Sequence, residues 1–151
     1  MMLGYIGGTL QHARRAVDIY RAAGEAAGHD PNTLQIGLST HFYAADSEQD
    51  AAAVFEHYRT YLHPDSNNGR GFVVDRTTFN SARRRDSALM IGTTEQLTEK
   101  ILDAQAHLGI TRFIGQFDWG ALPPTRVHES IARLATKIAP LVRAAVTTTV
   151  T

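Results

Sequence analysis

His41 is the residue whose type and position most readily suggest chemistry. It lies near the end of residues 34–43, where apolar and polar side chains alternate, as in a β-strand with one buried face. The alternation places His41 on the polar face, where an imidazole can position a substrate or relay a proton. A hydrogen-bonded histidine of the protein interior explains the same spacing more simply, and the sequence leaves both roles open.

A second polar group stands at the end of the apolar segment 111–117. Strand alternation puts Gln116 and Asp118 on one side of the strand, where the pair can face a bound ligand. Trp119 follows directly. Asp118 also has the position of a turn residue before a glycine, and Trp119 can be a packing anchor. The residues alone support the ligand-facing and the structural interpretations equally.

Gly7 and Gly8 lie in a turn between a predicted strand and a predicted helix. Backbone amides at such a helix start can hold a phosphate or another anionic part of a cofactor. The spacing is neither the dinucleotide-binding nor the P-loop pattern. A turn whose glycines only let the chain bend is therefore the favoured alternative.

The composition excludes several kinds of chemistry. The chain has no cysteine, which removes disulfides, thiolate metal sites and a cysteine nucleophile. The other six histidines show no ligand spacing on one face, so no metal site is predicted. Basic and acidic residues number 15 each, which argues against nucleic acid as a partner. The arginine run 83–85 is expected to be solvated, and no catalytic residue is identified.

The sequence also argues against a membrane partner. It contains no apolar run long enough to span a bilayer. Its first residues lack the basic region of a signal peptide. We therefore expect a soluble cytoplasmic protein.

Strands and helices alternate along the chain. The strand patterns cover residues 3–6, 34–43, 88–91 and 111–117. Helical spacing covers residues 9–27, a segment opening at Asp46, residues 93–108, and a last segment from Pro124 that Pro140 should bend or break. This order predicts an α/β fold with parallel strands and right-handed crossovers.

The predicted elements form one domain over residues 1–146. A long polar loop is expected at 63–87, with a short helix near 75–84 capped by Asp75. Residues 147–151 are expected to be a frayed tail.

Several segments resemble the bacterial-luciferase-like flavin-dependent monooxygenases. Residues 90–101 read MIGTTEQLTEKI, similar to that family's GSPEQVAEKI. Residues 108–113 read LGITRF and residues 116–123 read QFDWGALP, similar to LGVDRF and QFDFGGLP. Residues 20–31 resemble YREAAARAGHDP, and residues 39–46 resemble SHGFVAD with Thr40 as an extra residue. The order and spacing of these segments make the resemblance fairly specific.

The resemblance implies a fold and a chemistry. Members of the family are (β/α)8 TIM barrels that bind FMN or the deazaflavin F420 and oxidise small organic substrates. The similar segments belong to the C-terminal part of that barrel, and the family's acid–base residues lie outside it. The resemblance therefore transfers no catalytic residue. His41, Gln116, Asp118 and Trp119 match strand-end positions, where they would contact substrate or flavin, and the isolated chain need not bind either cofactor.

A partial barrel of about three or four parallel strands leaves its edges and interior unpaired, since a complete barrel needs roughly 200 residues or more. We therefore expect a homodimer or higher oligomer that completes or covers the sheet. An alternative function is a catalytically silent half-barrel that acts by self-assembly or by pairing with a separate N-terminal half. A small flavodoxin-like or nucleotide-binding domain is a further alternative, but such a sheet needs about five strands.

Overall fold

The structure is a computed structural model and describes residues 1–63, 71–120 and 122–149. The strands in these ranges are β1 Met2–Gly4, β2 Gly37–Ala44, β3 Met90–Gly92 and β4 Arg112–Gln116. The helices are α1 Leu10–Ala26, α2 Glu48–Ala53, α3 Phe55–Leu62, α4 Arg76–Ala82, α5 Thr94–Leu108, α6 Pro124–Arg133 and α7 Ala139–Thr149. A short 3₁₀ turn, Pro31–Thr33, precedes β2.

β2 is the strand to which the other three described strands pair, and every pairing is parallel. Its first half lies beside β1 and β4, so that Leu38 has Leu3 and Phe113 as neighbours. Its last residues lie beside β3, with Tyr43 opposite Ile91. The predicted α/β fold with an open parallel sheet and flanking helices is confirmed.

Beyond the end of β4, side chains form the hydrogen bonds to this edge of β2. The Trp119 indole Nε1 donates to the Phe42 carbonyl at 3.4 Å. Two residues on, the Ala44 amide donates to the Ser130 hydroxyl at 2.8 Å, and Arg133 donates to the Ala44 carbonyl at 3.1 Å. Because backbone groups of alternate residues point to the same edge of a strand, these side chains complete the edge of β2 beyond β4.

The two faces of the sheet differ in covering. One face carries Leu38, Phe42 and Phe113, which pack in apolar clusters with residues of α1, α5 and α7. We call the other the open face and define it by the side chains of its less covered half: Met2, Ser39, Ile114 and Gln116. Met2 is 54% exposed and Ile114 is 38% exposed. Apolar side chains therefore face solvent on this half of the sheet.

Capping side chains and a glycine set several helix ends. The Thr93 and Gln96 capping box forms, and Gly109 ends α5 in the left-handed conformation at φ +66°. The second helix is capped by Ser47 rather than opened by Asp46, because the Ser47 hydroxyl accepts the Asp50 amide. A break at Val54 then separates α2 from α3.

The last helical segment contains the break expected near Pro140. A π-helical turn, Leu134–Ile138, separates α6 from α7, and proline has no amide to donate to the preceding turn. The frayed tail predicted from residue 147 is not seen there, since α7 continues to Thr149. Residues 150 and 151 of the predicted tail lie outside the described residues.

The segment predicted as a long loop contains α4, whose N-cap Asp75 accepts the Thr78 amide as expected. Residues 64–70 of this segment lie outside the described residues. The arginine run is not uniformly solvated. The Arg83 side chain is 8% exposed and donates to the Ile91 carbonyl and to Glu48. No described helix is both long and apolar enough to cross a bilayer.

Candidate active site at the strand ends

His41 lies almost fully buried near the end of β2, at 4% exposure. Its Nδ1 shares a hydrogen bond of 3.1 Å with the Tyr58 hydroxyl. The rings of Tyr58 and Tyr61, both on α3, meet the imidazole edge-on with centroids at 5.6 and 5.2 Å. Burial lowers the pKa of His41, so the imidazole is neutral at pH 7. α3 therefore fixes both the position and the charge of this side chain.

Trp119 is part of the core. It is 2% exposed, and its indole packs edge-on against Tyr58 and Tyr43 with centroid distances of 5.3 and 6.4 Å. Burial raises the pKa of Tyr58 and, together with Asp50, that of Tyr43, each to about 12. Both phenols are thus protonated. The packing interpretation of Trp119 is the one that the structure supports.

Gln116 stands next to His41 in the register of β2 and β4. Its side chain is exposed, and Nε2 donates to the Ser39 hydroxyl at 3.1 Å. Asp118 follows the end of β4 and is also exposed. The structure therefore brings His41, Gln116 and Ser39 together at the border of the open face, with Asp118 just beyond.

Hydrogen bonds to residues 86 and 88 hold the turn that contains Gly7 and Gly8. Gly8 has the positive φ of +83° that the turn requires. Its carbonyl accepts the Ala88 amide at 3.2 Å, and the Leu10 amide at the start of α1 donates to the Asp86 carbonyl at 2.9 Å. One of the helix-start amides is therefore already used. Both Gly7 and Gly8 are exposed.

Lys100 is a buried ionisable residue that the sequence analysis missed. Its ammonium donates to the carbonyls of Arg83, Arg84 and Leu89 at 3.1, 2.7 and 2.8 Å. Burial, and secondarily the charge of Arg83, lowers its pKa to about 7. The residue lies three positions after Leu97, on the buried stripe of α5, and that spacing could have revealed it. Its contacts make it a structural clamp rather than a site residue.

Tyr58 and Tyr61 were also missed as partners of His41. Tyr58 follows Phe55 by three residues on α3, and both side chains are buried. Its hydrogen bond to His41 spans 17 residues. No local pattern encodes that pairing.

A cleft of about 660 Å³ lies away from these strand ends, between the start of α1 and α5. Its charged side chains largely neutralise each other. Arg85 pairs with Asp103 and Glu99, and Arg14 pairs with Asp18. Since the strong donors in this cleft are already occupied, the border between His41 and Gln116 is the better candidate site.

The side chains at this border can position a ligand through hydrogen bonds. Gln116 and Ser39 each offer both a donor and an acceptor. In the described residues nothing bonds to Nε2 of His41, and this nitrogen is the atom through which the imidazole can meet a ligand. Gly37 is buried because the Met2 side chain lies over it, where a Cβ would meet the Met2 methyl carbon at 2.6 Å.

Comparisons with known proteins place the chain in a family. The sequence model of the luciferase-like monooxygenases matches residues 1–135. The fold resembles the crystal structure of the monooxygenase RslO1 from Streptomyces bottropensis, with a TM-score of 0.71 and 21% identity. That match covers 92% of this chain and 40% of RslO1. No curated protein matches the sequence. The chain belongs to the luciferase-like monooxygenase family.

Proposed function

We propose that the chain is a domain of a flavin-dependent oxidoreductase of the monooxygenase type, acting on a small organic substrate at the border of the open face. The observation that carries this proposal is the pairing of Gln116, the last residue of β4, with His41 in the C-terminal half of β2, in a chain of this family. Ligands of parallel α/β folds bind beyond the carboxyl ends of the strands.

The residues at the border suit the polar edge of a flavin. The pyrimidine edge of the isoalloxazine ring presents carbonyl acceptors and an N–H donor, which Gln116 and Ser39 can match. FMN and F420 share this edge, so either cofactor is compatible with the same residues.

The chain's own contribution to chemistry is to hold and orient. A bound reduced flavin would supply the hydride, or the electrons that reduce oxygen. Tyr58, protonated because burial raises its pKa to about 12, fixes the imidazole through Nδ1. His41 is neutral because burial lowers its pKa, and it can accept or return a proton at Nε2. The buried ring of Tyr58 excludes water from one side.

Fluorescence titration of the purified protein with FMN and with F420 tests this proposal. Gln116→Ala should weaken binding by about tenfold, the value of one well-placed hydrogen bond. Gln49→Ala on α2 removes an equally exposed amide far from β4 and should leave affinity unchanged. Binding of neither cofactor at hundreds of micromolar, or equal affinity in the two variants, would contradict the assignment.

A second candidate function is a catalytically silent half-barrel that works by assembly. The specific support is the exposure of Met2 and Ile114 on the open face, together with the 40% coverage of RslO1. Exposed apolar surface of this kind is typical of interaction sites. Assembly in the absence of any flavin binding, measured on the same preparation, would favour this function over the first.

A further inference from the structure

We propose that β4 pairs with β4 of a second copy of this chain, antiparallel and centred on Gly115. The inference rests on the assembly proposed above and names its partner and register. Gly37 and Ser39 bond to Met1 and Tyr5 on the β1 side, so the even-numbered residues of β2 face β4. The register that pairs Leu38 with Phe113 then turns the backbone groups of the even-numbered residues of β4 toward β2. Those of Phe113 and Gly115 point to the other edge, and the same alternation assigns Phe117, one residue past β4, to that edge. No described residue bonds to them there.

The side chains around Gly115 are complementary to themselves. A two-fold axis at Gly115 places Arg112 of one copy opposite Asp118 of the other, since both are three residues from the axis. Both side chains are exposed, and neither forms an ion pair with a described residue. Two oppositely charged cross-strand pairs then form at once, one on each side of the axis.

The same register pairs the apolar residues. Phe113 of one copy lies opposite Phe117 of the other, on the helix-covered side of the sheet. These two phenylalanines line a groove of about 530 Å³ with Leu134 and Val142. Gly115 has no room for a side chain, because a Cβ would lie 3.0 Å from that of Phe42. The centre of the register is therefore occupied by backbone alone.

This self-complementarity favours a second copy over a separate polypeptide. An isologous contact requires that a surface match itself after rotation, and an unrelated strand would have to supply its own charges to match Arg112 and Asp118. An antiparallel pair also produces a closely spaced, non-hydrogen-bonded position between Ile114 of one copy and Gln116 of the other. That position provides a direct measurement.

Charge reversal is the first test. Light scattering should show a dimer for the wild-type chain. Arg112→Asp and Asp118→Arg should each weaken the dimer by roughly tenfold or more, because two attractions become repulsions. The double variant should return to within about threefold of wild type. Arg15→Asp, an exposed change on α1, is the matched control. A wild-type monomer at hundreds of micromolar, or a double variant as weak as the single ones, would overturn the proposal.

Disulfide cross-linking is the second test. Because the chain has no cysteine of its own, only the introduced residues can form a disulfide. Mixing Ile114→Cys with Gln116→Cys should give a disulfide-linked dimer on oxidation, since opposed Cα atoms lie about 4.5 Å apart. Each variant alone should link far less. Equal linkage in the mixture and in the single variants, or none anywhere, would overturn the register. Neither test involves flavin, so failure here and failure of cofactor binding are separate results.

Discussion

The two halves of one sheet face differ in what covers them. Toward the end of β2, His41 and Tyr43 are buried beneath the rings of α3 and against Trp119. Toward its start, the same face carries Gly37, which the Met2 side chain covers, and Ser39, with Met2 and Ile114 exposed beside them. One strand thus carries a closed end and an open face.

The difference shows where contacts within this chain complete the sheet. At the closed end, each ring has a ring partner and the free edge of β2 is capped by Trp119, Ser130 and Arg133. On the open face and along β4, no described residue provides the equivalent contacts. The chain spans 40% of the monooxygenase that it resembles. Its stability should therefore depend on the closed end, and its interactions on the open face.

The largest effect is expected from removing the anchor of the closed end. Trp119→Ala should lower the free energy of unfolding by about 3–5 kcal/mol, since it deletes a buried indole. Trp119→Phe keeps most of the packing and loses the bond to Phe42, so its cost should be about 1 kcal/mol. Urea unfolding followed by circular dichroism measures both. Equal losses in the two variants would show that packing is not the reason.

A smaller loss is expected from the clamp that supports β3 beside the closed end. Lys100→Met removes the donor to the carbonyls of Arg83, Arg84 and Leu89, of which the bond to Leu89 is buried, and should cost about 2–3 kcal/mol. Lys137→Met changes the other lysine of the chain, which is exposed, and should have almost no effect. Comparing the urea unfolding midpoints of the two variants with that of the wild type tests this prediction. A Lys100 variant as stable as the Lys137 variant would mean that the clamp contributes nothing.

The pH dependence of stability should report on the closed end as well. Burial lowers the folded-state pKa of His41, so the unfolded chain binds a proton first as pH falls below about 6.5. Stability should therefore decline as pH falls from 7 toward the lowered pKa. His41→Gln should flatten this part of the profile. The pKa values of Asp75 and Asp103, lowered by hydrogen bonds to Thr78 and Arg85, act only at more acidic pH. Parallel profiles for wild type and variant would contradict the burial of His41.

The smallest effect on stability is expected on the open face. Ile114→Ala should cost about 1 kcal/mol or less in dilute solution, because the side chain already contacts water. At high concentration the same variant should weaken self-association. Chemical unfolding at two protein concentrations separates the two contributions. A loss in dilute solution as large as that of Trp119→Ala would remove the distinction between the two regions.

Local chemistry made much of the fold predictable. The alternation through β2 identified its faces, and Asp75, Thr93 and Gly109 marked helix ends through hydrogen bonds within a few residues. Such signals depend on neighbours in the sequence, so they can be read from the chain itself. The alternation of strands and helices predicted the parallel sheet, and the family resemblance added the proposed place of the site at the strand ends.

The long-range contacts of the closed end could not be predicted from neighbours in the sequence. Ser130 bonds to Ala44 across 86 residues, and Trp119 bonds to Phe42 across 77. Lys100 finds carbonyls on a segment that its own helix does not specify. These partners are set by how the helices pack on the sheet. The sequence therefore predicted His41 and Gln116 as site residues, but not the tyrosines that fix the imidazole.

Amide hydrogen exchange along β4, measured at several protein concentrations, tests the contrast between the two regions most directly. The amides of Phe113, Gly115 and Phe117 should exchange quickly in dilute solution and slowly once two copies pair. The Ala44 amide, bonded to Ser130, should exchange slowly at every concentration. Exchange at Gly115 that does not change with concentration would contradict the account.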